Sequence, residues 1–278
     1  MRSNNIQVNI AEAKAKTPTL TIDAIKKNCP SAFTEKKSKE RSEKYIHMPT
    51  SKVLMDMLAL GWECIEAREI KKHKGETGYQ KHCLRFRNYH YEIEGGLFPE
   101  IILTNAHDCT GGFIFRAGLF RFVCSNGLVI ADKEFGQIKI RHMGYSFEAV
   151  KEACEYVVKN IPMMVTQISK LQSFKMTDEQ MVEYALAAQQ LRWKGETPVS
   201  VDDLLESSRK EDEGNDLWVV YNRIQEKLMN GGYNTAENDK GKTRKVRAVK
   251  NFSQQIQLNE GLWELNERVL NNLPLIEA

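Results

Sequence analysis

No apolar run in the 278 residues approaches the roughly 18 that a membrane-spanning helix needs, which excludes a helical membrane protein. The opening MRSNNIQVNIAEAKAK lacks the apolar stretch of a secretory signal, so the expected location is the cytoplasm, with reduced cysteines. Those six, Cys29, Cys64, Cys83, Cys109, Cys124 and Cys154, include no C-x-x-C pair, which argues against a zinc or thiol-redox site. Walker, nucleophile-elbow and H-E-x-x-H spacings are missing too. Gly111, Gly112, Gly118 and Gly127 fall between expected strands rather than before a helix, so they offer no phosphate cradle. There is no repeat of solenoid period. A net charge of only +3 does not by itself mark a partner of nucleic acid.

What is there is a globular composition, 41% apolar and 28% charged, with polarised charge. Residues 1–50 hold ten basic and five acidic side chains, and residues 146–213 hold eight and thirteen. Residues 1–48 are polar, Lys-rich and weakly periodic, and are expected to form a loosely held arm. In PTSKVLMDMLALG, Val53, Leu54, Met57 and Leu58 recur at helical spacing, and Gly61 is a stop signal. The segments 62–72, 79–91, 100–106, 112–124 and 135–143 then read as about five strands. Alternation in LRFRN sets Leu84 and Phe86 against Arg85 and Arg87, and in QIKIRH it sets Ile138 and Ile140 against Lys139 and Arg141.

After Gly144 the period is helical again, with Ser146 as an N-cap, Pro162 as a kink or restart, and Thr177 with Gln180 as a capping box. The charged run RKEDEGND at 209–216 is the expected domain boundary. Beyond it, two amphipathic helices carry Trp218 and Trp263, separated by Gly231, Gly232 and a polar loop. Those Trp faces suit either a core or a subunit contact, with core the better fit. The expectation is therefore α+β: a curved antiparallel sheet with long helices over 49–213, then a helical region, 214–278, that includes a basic loop at 239–250.

Three stretches could carry chemistry. In NDKGKTRKVRAVKN, Lys240, Lys242, Arg244, Lys245, Arg247 and Lys250 place six cations within eleven residues that contain no acid, a density suited to phosphate oxygens. Gly241 is expected to keep that loop mobile, and a solvated loop without a partner is the plainer alternative. On the sheet, Arg85, Arg87, Arg121, Lys139 and Arg141, interleaved with Tyr79, Phe86, Tyr89 and Tyr91, combine cations with rings for stacked bases; an ordinary polar outer face is the alternative. The segment NAHDCTGGFIFRAGLFRFVCSNGLV offers His107, Asp108 and Cys124 for a nucleophilic mechanism, against which NAHD and CSNG read equally as turns. His82, His107 and His142 could converge as ligands from separate strands, although their spacing says nothing either way. No metal, cofactor or catalytic set is expected.

TNAHDCTGGFIFRAGLFRFVCSNGLV, LWVVYNRIQEKLMNGG and QQIQLNEGLWELNERV resemble the DUF932 family of phage- and plasmid-type proteins, over about residues 50–272. The resemblance implies a mobile-element setting and brings no catalytic residues with it. The order of elements is also similar in outline to Rad52-like single-strand annealing proteins, which form homo-oligomeric rings. The leading expectation is a non-enzymatic DNA-binding protein that favours single strands and acts in annealing, recombination or protection of entering DNA. The alternative is an anti-defence protein whose acidic 146–213 segment meets a host defence protein.

Overall fold

The computed structural model describes residues 10–37, 47–71, 77–91, 97–107, 113–121, 126–129, 137–140, 146–195, 197–235 and 242–275. Its contacts divide the chain into two units, Met1–Ile161 and Pro162–Ala278.

Among the described residues of the first unit, six strands form one antiparallel sheet: β1 (Glu63–Glu69), β2 (His82–Arg87), β3 (Leu97–Asn105), β4 (Phe113–Arg121), β5 (Asn126–Val129) and β6 (Gln137–Ile140). The first four lie in chain order. The last two share the far edge of β4, β5 along Gly118–Arg121 and β6 along Phe113–Arg116. β5 falls in a stretch that the sequence presents as a turn.

Alternation gives the sheet two chemically distinct faces. Leu84, Phe86, Ile101, Leu103, Phe113, Phe115, Ala117 and Leu119 are buried on one of them. Helix α3 (Thr50–Ala59) neighbours β1 there and α4 (Phe147–Lys159) neighbours β3, with Met57 and Cys154 touching sulfur to sulfur at 3.3 Å. Gly61 (φ +82) ends the α3 region as its position suggests, and the Ser146 side chain caps α4 by accepting from the Ala149 amide at 3.1 Å.

The opposite face carries charge, and its phase depends on a bulge. Glu63 opposes Arg87 and Glu66 opposes Arg85, so the two acids are three residues apart while the arginines are two apart. A regular strand would send Glu66 to the other face; the irregularity between Cys64 and Glu66 restores it.

Residues 10–37 correct the expectation of a loose arm. Helix α1 (Ile10–Lys16) buries Ala13 with Tyr89 and Phe98, and helix α2 (Ile22–Asn28) buries Ile25. The connecting chain follows the outer edge of β1: the Leu20 amide donates to the Cys64 carbonyl at 2.8 Å and the Ser31 amide to the Glu69 carboxylate at 2.9 Å. An otherwise open strand edge is thereby covered. The many exposed lysines dilute the apolar signal of Ala13, Ile25, Cys29 and Ala32, all fully buried.

The second unit is helical: α5 (Ile161–Ser173), α6 (Asp178–Arg192), α7 (Val201–Leu205), α8 (Leu217–Asn230) and α9 (Phe252–Leu270). Pro162 stands in the first turn of α5, where a missing N–H costs nothing, so it restarts the helix. Thr177 and Gln180 form the capping box read from sequence. The charged run at 209–216 is a packed joint inside this unit: Asp212 is buried against Arg209 at 2.9 Å, and the Arg223 guanidinium donates to the Gly214 carbonyl at 2.9 Å. Helices on both sides of it pack on one another, α7 with α8 and α6 with α9, which moves the division of the chain from residue 213 to residue 161. Trp218 and Trp263 are 5% and 3% exposed on either side of Tyr221, so both are core residues.

Candidate nucleic-acid interface

The sheet arginines do not form the outward basic face expected of them. Arg87 is 1% exposed; its Nε and Nη2 donate to Glu100 Oε1 at 3.0 and 2.8 Å, and its Nη1 to the Tyr89 hydroxyl at 3.0 Å. Arg85 pairs with the other oxygen of Glu100, which is itself fully buried. Burial alone would lower the pKa of Arg85, but the carboxylates of Glu100 and Glu66 more than offset this and raise it. Arg116 donates to the Thr104 hydroxyl at 3.1 Å, and Arg121 is buried. Lys139 is exposed on β6, while Arg141 lies outside the described residues. Two of the four rings are withdrawn as well, since Phe86 sits in the core and Tyr89 packs edge-on against Phe98, while Tyr79 is half-buried and Tyr91 is exposed. A period-two pattern assigns Arg85 and Arg87 to the correct face but cannot reveal that Glu100, on the next strand, is waiting there.

In the segment that begins NAHD, the described residues bring histidines together. The ring of His47, which the sequence did not single out, lies tilted with its centroid 4.4 Å from that of His107, and the His82 ring is 5.2 Å from His107. His82 Nδ1 bonds the Gln80 carbonyl at 2.8 Å, which leaves Nε2 to accept from the Thr50 hydroxyl at 2.7 Å; Thr50 also accepts from Asn105 at 2.9 Å. These contacts tie α3 to β2 and β3, a structural role. Among the described residues no group of three His, Cys, Asp or Glu is arranged to hold a metal ion. Burial pushes the thiols of Cys64, Cys83 and Cys154 up to about 12, and Cys29 higher still, so these four are inert as nucleophiles near neutral pH. Asp108, Cys109, Cys124 and His142 lie outside the described residues.

The basic run keeps its described cations in solvent. Lys242, Arg244, Lys245, Arg247 and Lys250 are all exposed; Lys240 and Gly241 lie outside the described residues. Among the described residues, Arg244, Lys245 and Arg247 form no ion pair with a carboxylate. The backbone beneath them is held in place. The Thr235 amide donates to the Arg244 carbonyl at 2.7 Å, the Val246 amide to Tyr233 at 2.9 Å, the Gly232 amide to Val246 at 2.9 Å and the Val249 amide to Met229 at 2.8 Å. Val246 is buried while its neighbours on both sides face water.

Two residues outside the basic run make this anchoring possible. Gly231 ends α8 at φ +59, and a Cβ there would stand 2.4 Å from the Val246 carbonyl oxygen, so only glycine allows the segment to lie this close. Arg192, at the end of α6, donates to the carbonyls of both Leu228 and Arg247, joining the last turn of α8 to the basic segment. Burial lowers its pKa, yet a guanidinium stays charged at neutral pH. Tyr233 fills the space beside it, its hydroxyl pushed up to about 12 by burial. The pair Gly231-Gly232 is visible in the sequence as a helix stop, but nothing there signals the reach of Arg192.

The DUF932 family model, described as a domain of unknown function, matches residues 38–263. The chain is 34% identical to UPF0380 protein YafZ of Escherichia coli (strain K12) over 256 residues, 91% of this chain and 93% of that protein. It is 34% identical to UPF0380 protein YfjQ of the same strain over 258 residues, again 91% and 93%. No solved structure matches. With a family model spanning the sheet and most of the helical unit, and relatives aligned over nearly their whole length, the chain belongs to the DUF932 family.

Proposed function

We propose that this chain is a non-enzymatic DNA-binding protein of a mobile element, anchored to phosphates by the segment 242–250. The observation that carries the reading is a set of five exposed cations on a backbone fixed to the end of α8. A solvated loop with no partner has no need of a held backbone, whereas phosphate contacts gain from donors already in position. Lys and Arg neutralising several phosphates release counterions, so affinity falls steeply with salt. Fluorescence anisotropy of the nuclease-treated protein with labelled single- and double-stranded oligonucleotides across a salt series tests this. Tight binding with a steep slope is expected; no binding at low salt refutes the reading.

A second reading rests on the acidic side chains. Glu148, Glu152 and Glu155 lie on one exposed side of α4, bridged in part by Lys151 at 3.3 and 3.7 Å, and such a face complements a basic protein. Recovery of one stoichiometric, nuclease-resistant host protein in a pull-down, together with an absence of DNA binding, would favour an anti-defence role over the first reading.

A further inference from the structure

Phosphate contacts alone do not separate single strands from duplex, and Phe86 and Tyr89, two of the rings beside the sheet arginines, are buried. The helical unit offers a different ring. The chain has four tryptophans, of which Trp62, Trp218 and Trp263 are 2%, 5% and 3% exposed. Trp193 alone is only half-buried, at the position where α6 ends and the chain turns extended. The Arg192 guanidinium sits 4.6 Å from the centroid of its ring and donates to the carbonyl of Arg247. One guanidinium therefore separates this ring from the backbone that carries the exposed cations. Arg192 steadies the ring by a cation–π contact and adds positive charge beside it.

We propose that Trp193 is a stacking site for an unpaired nucleobase of a strand whose phosphates lie along Arg244, Lys245 and Arg247, and that it makes the protein prefer single-stranded nucleic acid. The inference rests on the nucleic-acid reading of the basic segment. In a duplex the base faces are already stacked on each other, so the ring finds no partner; in a single strand every base has a face to offer, so the contact is tolerant of sequence.

The test follows tryptophan emission and anisotropy together as the full chain is titrated with a labelled oligothymidylate of about 16 nucleotides, the upper end of single-fold site sizes, or with a hairpin duplex. Emission is expected to fall in step with single-strand binding and to stay level with the duplex. Trp193→Ala is expected to weaken single-strand binding about 5- to 150-fold and to leave duplex binding unchanged. Trp193→Phe should keep most of the affinity and lose the quench, because the three buried tryptophans do not report; this variant and the wild-type quench decide the matter even if Trp193→Ala fails to fold. Binding that depends on the basic segment but leaves emission unchanged, with Trp193→Ala as tight as wild type, overturns the stacking site while the phosphate anchor stands. Absence of any binding at low salt overturns the anchor, and the stacking site with it.

Discussion

Two regions of this molecule are rich in arginine and lysine, and they use charge in opposite ways. On the sheet, Arg85 and Arg87 point at one buried carboxylate, Glu100, and the bulge in β1 brings Glu66 into line with them. In the helical unit, Arg244, Lys245 and Arg247 face solvent with no carboxylate partner among the described residues, above a backbone tied down on both sides. The first arrangement is internally neutralised and serves folding. The second leaves charge available to a ligand. Density of basic residues in a sequence does not distinguish them; the position of the nearest acid in space does.

Glu100→Ala should break the first region most severely. It leaves two largely buried guanidiniums without their carboxylate, a change that costs about 3–5 kcal/mol, measurable as a lowered denaturant midpoint. Whatever protein remains folded should bind DNA as wild type does. The next largest effect belongs to the second region: with Lys242, Arg244, Lys245 and Arg247 all changed to Gln, affinity at about 0.1 M salt should fall on the order of 100-fold and the salt slope by about 3, with stability unchanged. An unchanged slope would reverse the assignment of roles.

Gly231→Ala joins both quantities. Its φ of +59 with ψ of −139 is a conformation nearly reserved for glycine, and the new Cβ collides with Val246, so a loss of about 1–3 kcal/mol is expected, together with weaker DNA binding as the segment is pushed from its seat. The smallest effect concerns the edge of the sheet. Burial tends to raise the pKa of Glu63, but hydrogen bonds from Lys14 and Thr19 overcome this and hold it below the usual value. The stabilisation from a depressed carboxylate is complete above its unfolded pKa and is lost as pH falls through the folded one, so α1 should loosen only in acid. Glu63→Gln should reproduce this at neutral pH as faster hydrogen exchange at the Leu20 amide, with a stability change below about 1 kcal/mol.

Much of the frame was legible in the sequence, because it depends on local chemistry. Ser146 and Thr177 cap the helices they precede, Gly61 and Gly231 end the ones they follow, and Leu84 and Phe86 do face away from Arg85 and Arg87. What was hidden depends on partners distant along the chain. Glu100 reaches Arg87 only through strand pairing, Ser31 and Leu20 find β1 some forty residues later, and Arg192 clamps a carbonyl 55 positions away. The site was half legible for the same reason: the run of cations shows in the sequence, while the features that fix it, Gly231 against Val246 and Arg192 against the Arg247 carbonyl, do not.

The most direct test is a hydrogen-exchange footprint of the wild-type chain with and without a single-stranded oligonucleotide. Slower exchange is predicted across 242–250 and around Trp193, with β2 and β3 unchanged. Protection confined to the sheet strands, or no protection anywhere under conditions where anisotropy reports binding, would contradict the assignment of DNA binding to the helical unit.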